Sequence, residues 1–171
     1  VSMCFLRGNE HVLYKANAAY DRLISRKDYL GKPVREVFPE LEGQGWFELL
    51  DHVYESGQTV AQDEKIVRFR TADGGTAESY LNFIYQPVRS KSGQIYGIFY
   101  FGVDVTEQVD ARKRIEESER RYRQIVETAQ EGIWLLDAEH RTLFVNRKMC
   151  QILAYEPHEM IGQRIIRFID S

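Results

Sequence analysis

Cysteine is scarce in this chain. Two among 171 residues cannot build a disulfide framework, and neither Cys4 nor Cys150 begins a paired metal motif. Each is expected to be a small buried hydrophobe in a reducing compartment. Long apolar runs are also missing. With a mean hydropathy of −0.45, no stretch approaches the roughly 20 uncharged residues of a membrane span. Nor is there a surplus of positive charge: a net charge of −3 and a pI near 5.9 give no electrostatic footprint for nucleic acid. No signal peptide is visible, and the absence of an initiator Met fits a fragment cut from something larger. No glycine-rich phosphate loop precedes a helix, and no serine or cysteine nucleophile motif occurs, so no enzyme is legible. No spacing of His, Cys and carboxylates suggests a metal. The reading is a cytoplasmic α/β-type chain, whose 43% hydrophobic residues suffice for one core of about 100–110 residues.

What the chain does have is an internal repeat. Phe5-Leu6-Arg7-Gly8-Asn9-Glu10-His11-Val12-Leu13-Tyr14-Lys15-Ala16-Asn17 lines up with Trp134-Leu135-Leu136-Asp137-Ala138-Glu139-His140-Arg141-Thr142-Leu143-Phe144-Val145-Asn146. His11 and His140 are 129 positions apart, as are Asn17 and Asn146, and Gly31 matches Gly162 at 131. Such a period is a whole domain, beyond the 20–50 residues of a solenoid unit. The second copy is expected to be incomplete.

Strands are expected at residues 2–6 and 12–15, joined by a turn at Gly8-Asn9-Glu10. Asn17 is placed to cap a helix carrying Tyr20, Leu23 and Ile24. Short helical pieces are expected over 28–30 and 33–38, with Pro33 suited to a first turn. A longer helix spans Trp46 to Tyr54 and stops at Gly57. Three strands follow, at 64–70, 78–88 and 94–105, with turns at Ala72-Asp73-Gly74-Gly75 and Ser90-Lys91-Ser92-Gly93. Strands, then helices, then strands joined by hairpins predict an α+β fold, an antiparallel sheet with helices on one face. In the last strand Ile95, Phe99, Phe101 and Val103 point one way, and Tyr96, Ile98 and Tyr100 the other. Both faces then need cover, which argues for a flanking helix or a partner subunit.

Asp104-Val105-Thr106-Glu107, closing a strand and opening a charged helix, resembles the Asp-Ile/Val-Thr-Glu/Asp ending of PAS domains, sensory modules of bacterial signalling proteins. Supporting residues are the paired Asn17 and Asn146, the paired Gly31 and Gly162, and the strand ending in Gln86-Pro87. Arg121 to Ala129 is similar to the helix that leads into such a domain. The resemblance implies a five-stranded antiparallel sheet of order 2-1-5-4-3 cupped around a small-molecule pocket. It also implies tandem placement before a histidine kinase or diguanylate cyclase output domain in the parent chain. On this basis residues 1–105 form one PAS domain, 106–130 a connector helix, and 131–171 the opening of a second.

Candidate pocket residues are Trp46 and Leu50 on the helix, Leu81, Phe83 and Tyr85 on the fourth strand, and Ile98, Tyr100 and Gly102 on the fifth. Gly102 would leave room, and the tyrosine hydroxyls would orient a polar group of a small apolar or aromatic ligand. The competing reading is a filled core in a ligand-free dimerisation and relay module. A flavin-adduct cysteine is missing from Val34-Arg35-Glu36-Val37-Phe38, and His52 is out of register with the family's heme ligand, so the cofactor stays unknown. For the relay, Asp104, Thr106 and Glu107 would cap the connector. Ala111, Ile115, Ser118, Tyr122, Ile125 and Ala129 would form its coiled-coil seam in a homodimer. Trp134, Leu136, Phe144, Ile152 and Phe168 would lack a core of their own, since a two-stranded hairpin is marginal alone.

Overall fold

The computed structural model describes residues 1–70 and 74–169. The chain divides into two compact units, Val1–Asp110 and Ala111–Ser171. In the first, β1 (Ser2–Arg7) and β2 (Val12–Ala16) form a hairpin. Helices α1 (Ala18–Ile24), α2 (Val34–Val37) and α3 (Trp46–Ser56) follow, with a 3₁₀ turn at Pro39–Leu41. Strands β3 (Val60–Arg70), β4 (Thr76–Arg89) and β5 (Ile95–Asp104) complete an antiparallel sheet of order β2-β1-β5-β4-β3. The α+β class and the strand order implied by the resemblance are both present.

The inner face of the sheet is apolar at alternate positions: Cys4 and Leu6, Val67, Leu81, Phe83 and Tyr85, Ile98 and Tyr100 are all buried. Phe47, Leu50 and Val53 of α3 close over them. The outer face keeps Tyr14, Ile84, Tyr96, Phe99 and Val103 exposed. Tyr96 therefore does not point inward with Ile98 and Tyr100. The ring of Phe5 occupies the space a Cβ at Gly97 would need, and Phe5 stacks edge-on with Tyr96 at 5.8 Å. No helix forms at 28–30 either. Ser25 and Asp28 both take positive φ (49° and 56°), which breaks helical geometry. Of the expected β3–β4 turn, Ala72 and Asp73 lie outside the described residues.

Asn17 caps α1 by accepting from Tyr20 N (2.9 Å) and also accepts from Met3 N (3.0 Å). The first unit's α1–α2 connection returns to the sheet through Gly31 N→Leu13 O and Leu13 N→Lys32 O.

The second unit holds β6 (Trp134–Leu136), β7 (Thr142–Val145), α5 (Arg147–Leu153), α6 (Pro157–Met160) and α7 (Ile166–Ile169). It repeats the same bonds: Asn146 accepts from Met149 N and Ile133 N, and Gly162 N→Thr142 O mirrors the Gly31 contact. The expectation that its apolar residues lack a core is corrected. Phe168 is buried between Trp134 and Tyr155, with Val145, Cys150 and Met160 beside it. The helices supply the surface that a bare hairpin would not. Ile152 alone of the group remains well exposed.

Helix α4 (Thr106–Thr128) begins in the first unit, where Val109 is buried, and is exposed from Ala111 to Ile125. Glu116 reaches back one turn toward Arg112 (3.8 Å).

A buried histidine clamps the first unit. His11 sits at positive φ (52°), 3% exposed, with Nε2 2.8 Å from Asp51 Oδ1 on α3. Asp51 Oδ2 accepts from Arg35 (2.7 Å), and His11 Nδ1 has no partner. Burial lowers the His11 pKa below its ordinary 6.5, against the pull of Asp51. The unfolded chain therefore binds this proton first as pH falls, and stability is lost from about pH 6.5 downward until the folded imidazole also protonates. His11→Asn keeps the tolerance for positive φ. The expected outcome is that its urea midpoint falls less between about pH 7.5 and about pH 5.5 than that of the parent. Parallel falls would exclude His11 as the titrating group.

Candidate functional site

Between the inner sheet face and α1–α3 lies a partly open cavity of about 50 Å³. Each wall follows from local sequence. β1 alternates and so aims Cys4 and Leu6 inward. In α1, Tyr20 and Ile24 lie one helical turn apart and face the same way. Trp46 and Leu50 repeat that spacing on α3. β3 contributes Val67, and Leu81, Tyr85 and Tyr100 form the floor.

Of the candidate pocket residues, Trp46, Leu50, Leu81, Tyr85 and Tyr100 line this cavity. Phe83 and Ile98 are buried in the same core but do not border the void. Gly102 plays another part: a Cβ there would collide with the Tyr100 ring and hydroxyl. The space it leaves is filled by tyrosine, not held open for a ligand. Cys4, Tyr20, Phe38 and Leu41 line the cavity too and were not foreseen. For Cys4 and Tyr20 the signal was available in the alternation of β1 and the spacing of α1.

The walls are rings in near-continuous contact. Trp46 meets Phe83 at 4.7 Å and Phe83 meets Tyr85 at 4.8 Å. Tyr85 meets Tyr100 at 5.8 Å, and Tyr100 meets Tyr20 at 5.6 Å. Two polar atoms break the pattern. Trp46 Nε1 and the Tyr100 hydroxyl are buried without a hydrogen-bond partner. Tyr100 approaches Ser2, whose hydroxyl donates to Gly102 O (2.9 Å) and keeps its oxygen free to accept. An unpaired buried polar group costs about 1–3 kcal/mol, so two beside one cavity mark a place where a bound molecule gains.

The site is chemically quiet. Burial pushes the Cys4 thiol up to about 12, and a hydrogen bond with Tyr20 only partly opposes it. Burial likewise raises Tyr20, Tyr85 and Tyr100. A neutral thiol and three neutral phenols offer no nucleophile or general base at neutral pH.

Of the residues expected to relay a signal, Asp104, Thr106 and Glu107 sit where β5 becomes α4. Asp104 Oδ1 accepts from Thr106 N (2.9 Å) and from the Thr106 hydroxyl. The Thr106 oxygen in turn accepts from Tyr80 N on β4 (2.9 Å), so it ties the helix to the sheet in place of capping a helical amide. Val105 N donates back to Tyr80 O. Glu107 is exposed in the first turn. Ala111, Ile115, Tyr122 and Ile125 are all exposed along the helix, and His52 is exposed on α3.

Residues 2–110 match a family profile described as PAS fold, and residues 120–171 match another of the same description. The two-component sensor PprA of Pseudomonas aeruginosa is 30% identical over 135 residues, 74% of this chain. The chain spans only 15% of the length of that relative. Among solved structures, an RNA-binding light-oxygen-voltage receptor is 21% identical with a TM-score of 0.53, over 72% of this chain and 34% of the other. A PAS domain from Colwellia psychrerythraea is 13% identical with a TM-score of 0.49, over 62% and 86%.

The pairing of Gly102 with Tyr100 is directly testable. Gly102→Ala forces the Tyr100 ring out of its seat and is expected to cost about 1–3 kcal/mol by urea denaturation. Combined with Tyr100→Leu, the double variant should lose less than the sum of the two singles. Strict additivity would mean the ring does not rely on Gly102.

Proposed function

From the premise that the chain belongs to the PAS family of sensory and signalling modules, we propose that the first unit binds a small molecule in its core and passes its state through α4. The output would be a histidine kinase or diguanylate cyclase domain of the parent chain. The observation that carries the binding step is the cavity edged by two unpaired polar atoms, Trp46 Nε1 and Tyr100 OH. Its ligand is compact, because about 50 Å³ is far below the 300–1,000 Å³ of a drug-sized pocket. That small volume is also what favours the second reading, a filled-core relay module with no ligand.

The relay step rests on register. Leu81 lines the cavity and is paired with Asp104, the last residue of β5. Tyr80, one residue earlier, bonds both Val105 and Thr106. A shift of the cavity wall at Leu81 is thereby two hydrogen bonds from the first turn of α4. Ile115, Tyr122 and Ile125, exposed at spacings of seven and three, suit a parallel two-stranded coil between two copies of the chain. The first unit so described is the PAS domain proper, the exposed middle of α4 the connector, and the second unit the start of a further PAS domain.

Native mass spectrometry of the freshly purified chain tests both steps. The expected spectrum is a dimer carrying a discrete added mass, with the doubly substituted Ile115→Ser, Ile125→Ser chain appearing as a monomer that keeps that mass. A dimer without added mass favours the filled-core relay. A parent chain that is already monomeric excludes the coil.

A further inference from the structure

Resting on the reading of the core cavity as a ligand site, we propose that it takes a carboxylate-bearing ligand. The acid group would be held at the start of α3 by Lys65 and the Trp46 indole N–H, with a short apolar body among the rings.

Trp46 is the first residue of α3, borders the cavity and is 2% exposed, yet its Nε1–H has no partner. An indole nitrogen can only donate, so whatever satisfies it is an acceptor. The residue before it, Gly45, stands at φ 79° and provides no side-chain cap for the 11-residue helix. The leading amides of α3 thus keep the partial positive charge of an uncapped helix start.

Against that positive end the chain sets another positive group. The Lys65 ammonium lies 5.3 Å from the Trp46 ring centroid, and a Cβ built on Gly45 would be 3.6 Å from it. Among the described residues no carboxylate pairs with it; Glu48, in the first turn, is exposed. The ring face attracts the ammonium, but a cation facing a helix N-terminus is repelled unless an anion lies between them. Helix starts hold anions through the same amides.

Lys65 reaches this position through a local irregularity. β3 shifts register between Gln62 and Lys65, with Glu64 at φ 50° and its amide given to Asn82 Oδ1 (2.7 Å). Beyond the bulge Lys65, Val67 and Phe69 share the inner side, and the latter two line the cavity. Lys65 pairs in register with Leu81, another cavity residue. Bulges commonly serve to re-aim a side chain, and past this one the Lys65 ammonium lies over the ring of Trp46, a cavity-lining residue, without itself bordering the void.

Fluorine NMR of the full chain with trifluoropropionate and with its neutral amide, trifluoropropanamide, tests the proposal. The parent should bind the acid; Lys65→Met, which keeps the apolar stem over the indole, should weaken it about tenfold or more while leaving the amide unchanged. Lys65→Arg should retain most of the acid binding, and added salt should weaken it. If the acid binds equally to parent and Lys65→Met, or no better than the amide, the anion site is wrong and the cavity reading survives. If the parent takes up neither probe, the cavity reading falls with it.

Discussion

Everything in the first unit hangs on how the chain leaves β2. Asn17 accepts from Met3 N and Tyr20 N and donates to Val1 O (3.1 Å), so one side chain joins the start of β1 to the start of α1. That junction sets the direction in which residues 18–45 cross the inner sheet face. The cavity is the gap those residues leave. The second unit makes the point more strongly. Asn146 is fully buried and uses both ends of its amide, accepting from Ile133 and Met149 and donating to Val126 and Glu131. An aliphatic residue of the same size would leave four backbone groups without that partner, and each buried loss is costly.

The aromatic core resolves one conflict and leaves another. Packing Tyr100 beneath α1 requires a neighbour with no side chain, and Gly102 provides it. The rings then fill the core almost completely, which stabilises through buried area. They do so at the expense of polar satisfaction, because the hydroxyl of Tyr100 and the indole N–H of Trp46 find no partner. A sequence selected for stability alone would place Phe at both positions. Buried polar atoms retained beside a void are what the proposed ligand would satisfy.

Much of this was legible because the repeat encodes backbone geometry, not only hydrophobicity. His11 and His140 both take positive φ (52° and 60°), and so do Gly31 and Gly162 (82° and 77°). The matched hydrogen bonds at Leu13 and Thr142 follow from that. Alternation located the inner faces of β4 and β5; that of β1 was available from the same pattern and was not foreseen. It failed at Tyr96, where Phe5 covers Gly97 and the adjacent β4 register shifts between Val88 and Arg89. Periodicity also could not see that Ser25 and Asp28 are left-handed, or that the Thr106 hydroxyl serves β4. Nor could it see that Gly102 makes room for a tyrosine. The Thr106 bond depends on a residue 26 positions away, and the Ser25–Asp28 turn has no apolar pattern to read. The Gly102–Tyr100 fit, between residues two apart on one strand, depends on where the tyrosine ring lies, which alternation does not specify. The bulge before Lys65 belongs with them, since the strand expected from Glu64 begins at Val60 and its irregularity lies in the part not foreseen.

The proposed relay has an energetic limit that the geometry makes concrete. A ligand shifts an equilibrium only by the difference in its affinity for the two states. If the ligand merely filled the existing void, Leu81 and the Asp104 pairing would stay where they are, and α4 would receive nothing. A cavity of about 50 Å³ is well below the engineered void of about 150 Å³ that holds benzene, so a ligand of that size would have to move a wall. Two walls are available. The segment carrying Ser25 and Asp28 holds two left-handed non-glycine residues and is tied down by Arg26, which donates to Glu40 and the Val37 carbonyl. The β4 wall at Leu81 is fixed by ladder pairs on both sides, to Lys65 and to Asp104. Under the proposed relay, expansion at the helical wall would leave α4 silent, whereas contact at the Trp46–Leu81 end would load the strand that holds Thr106.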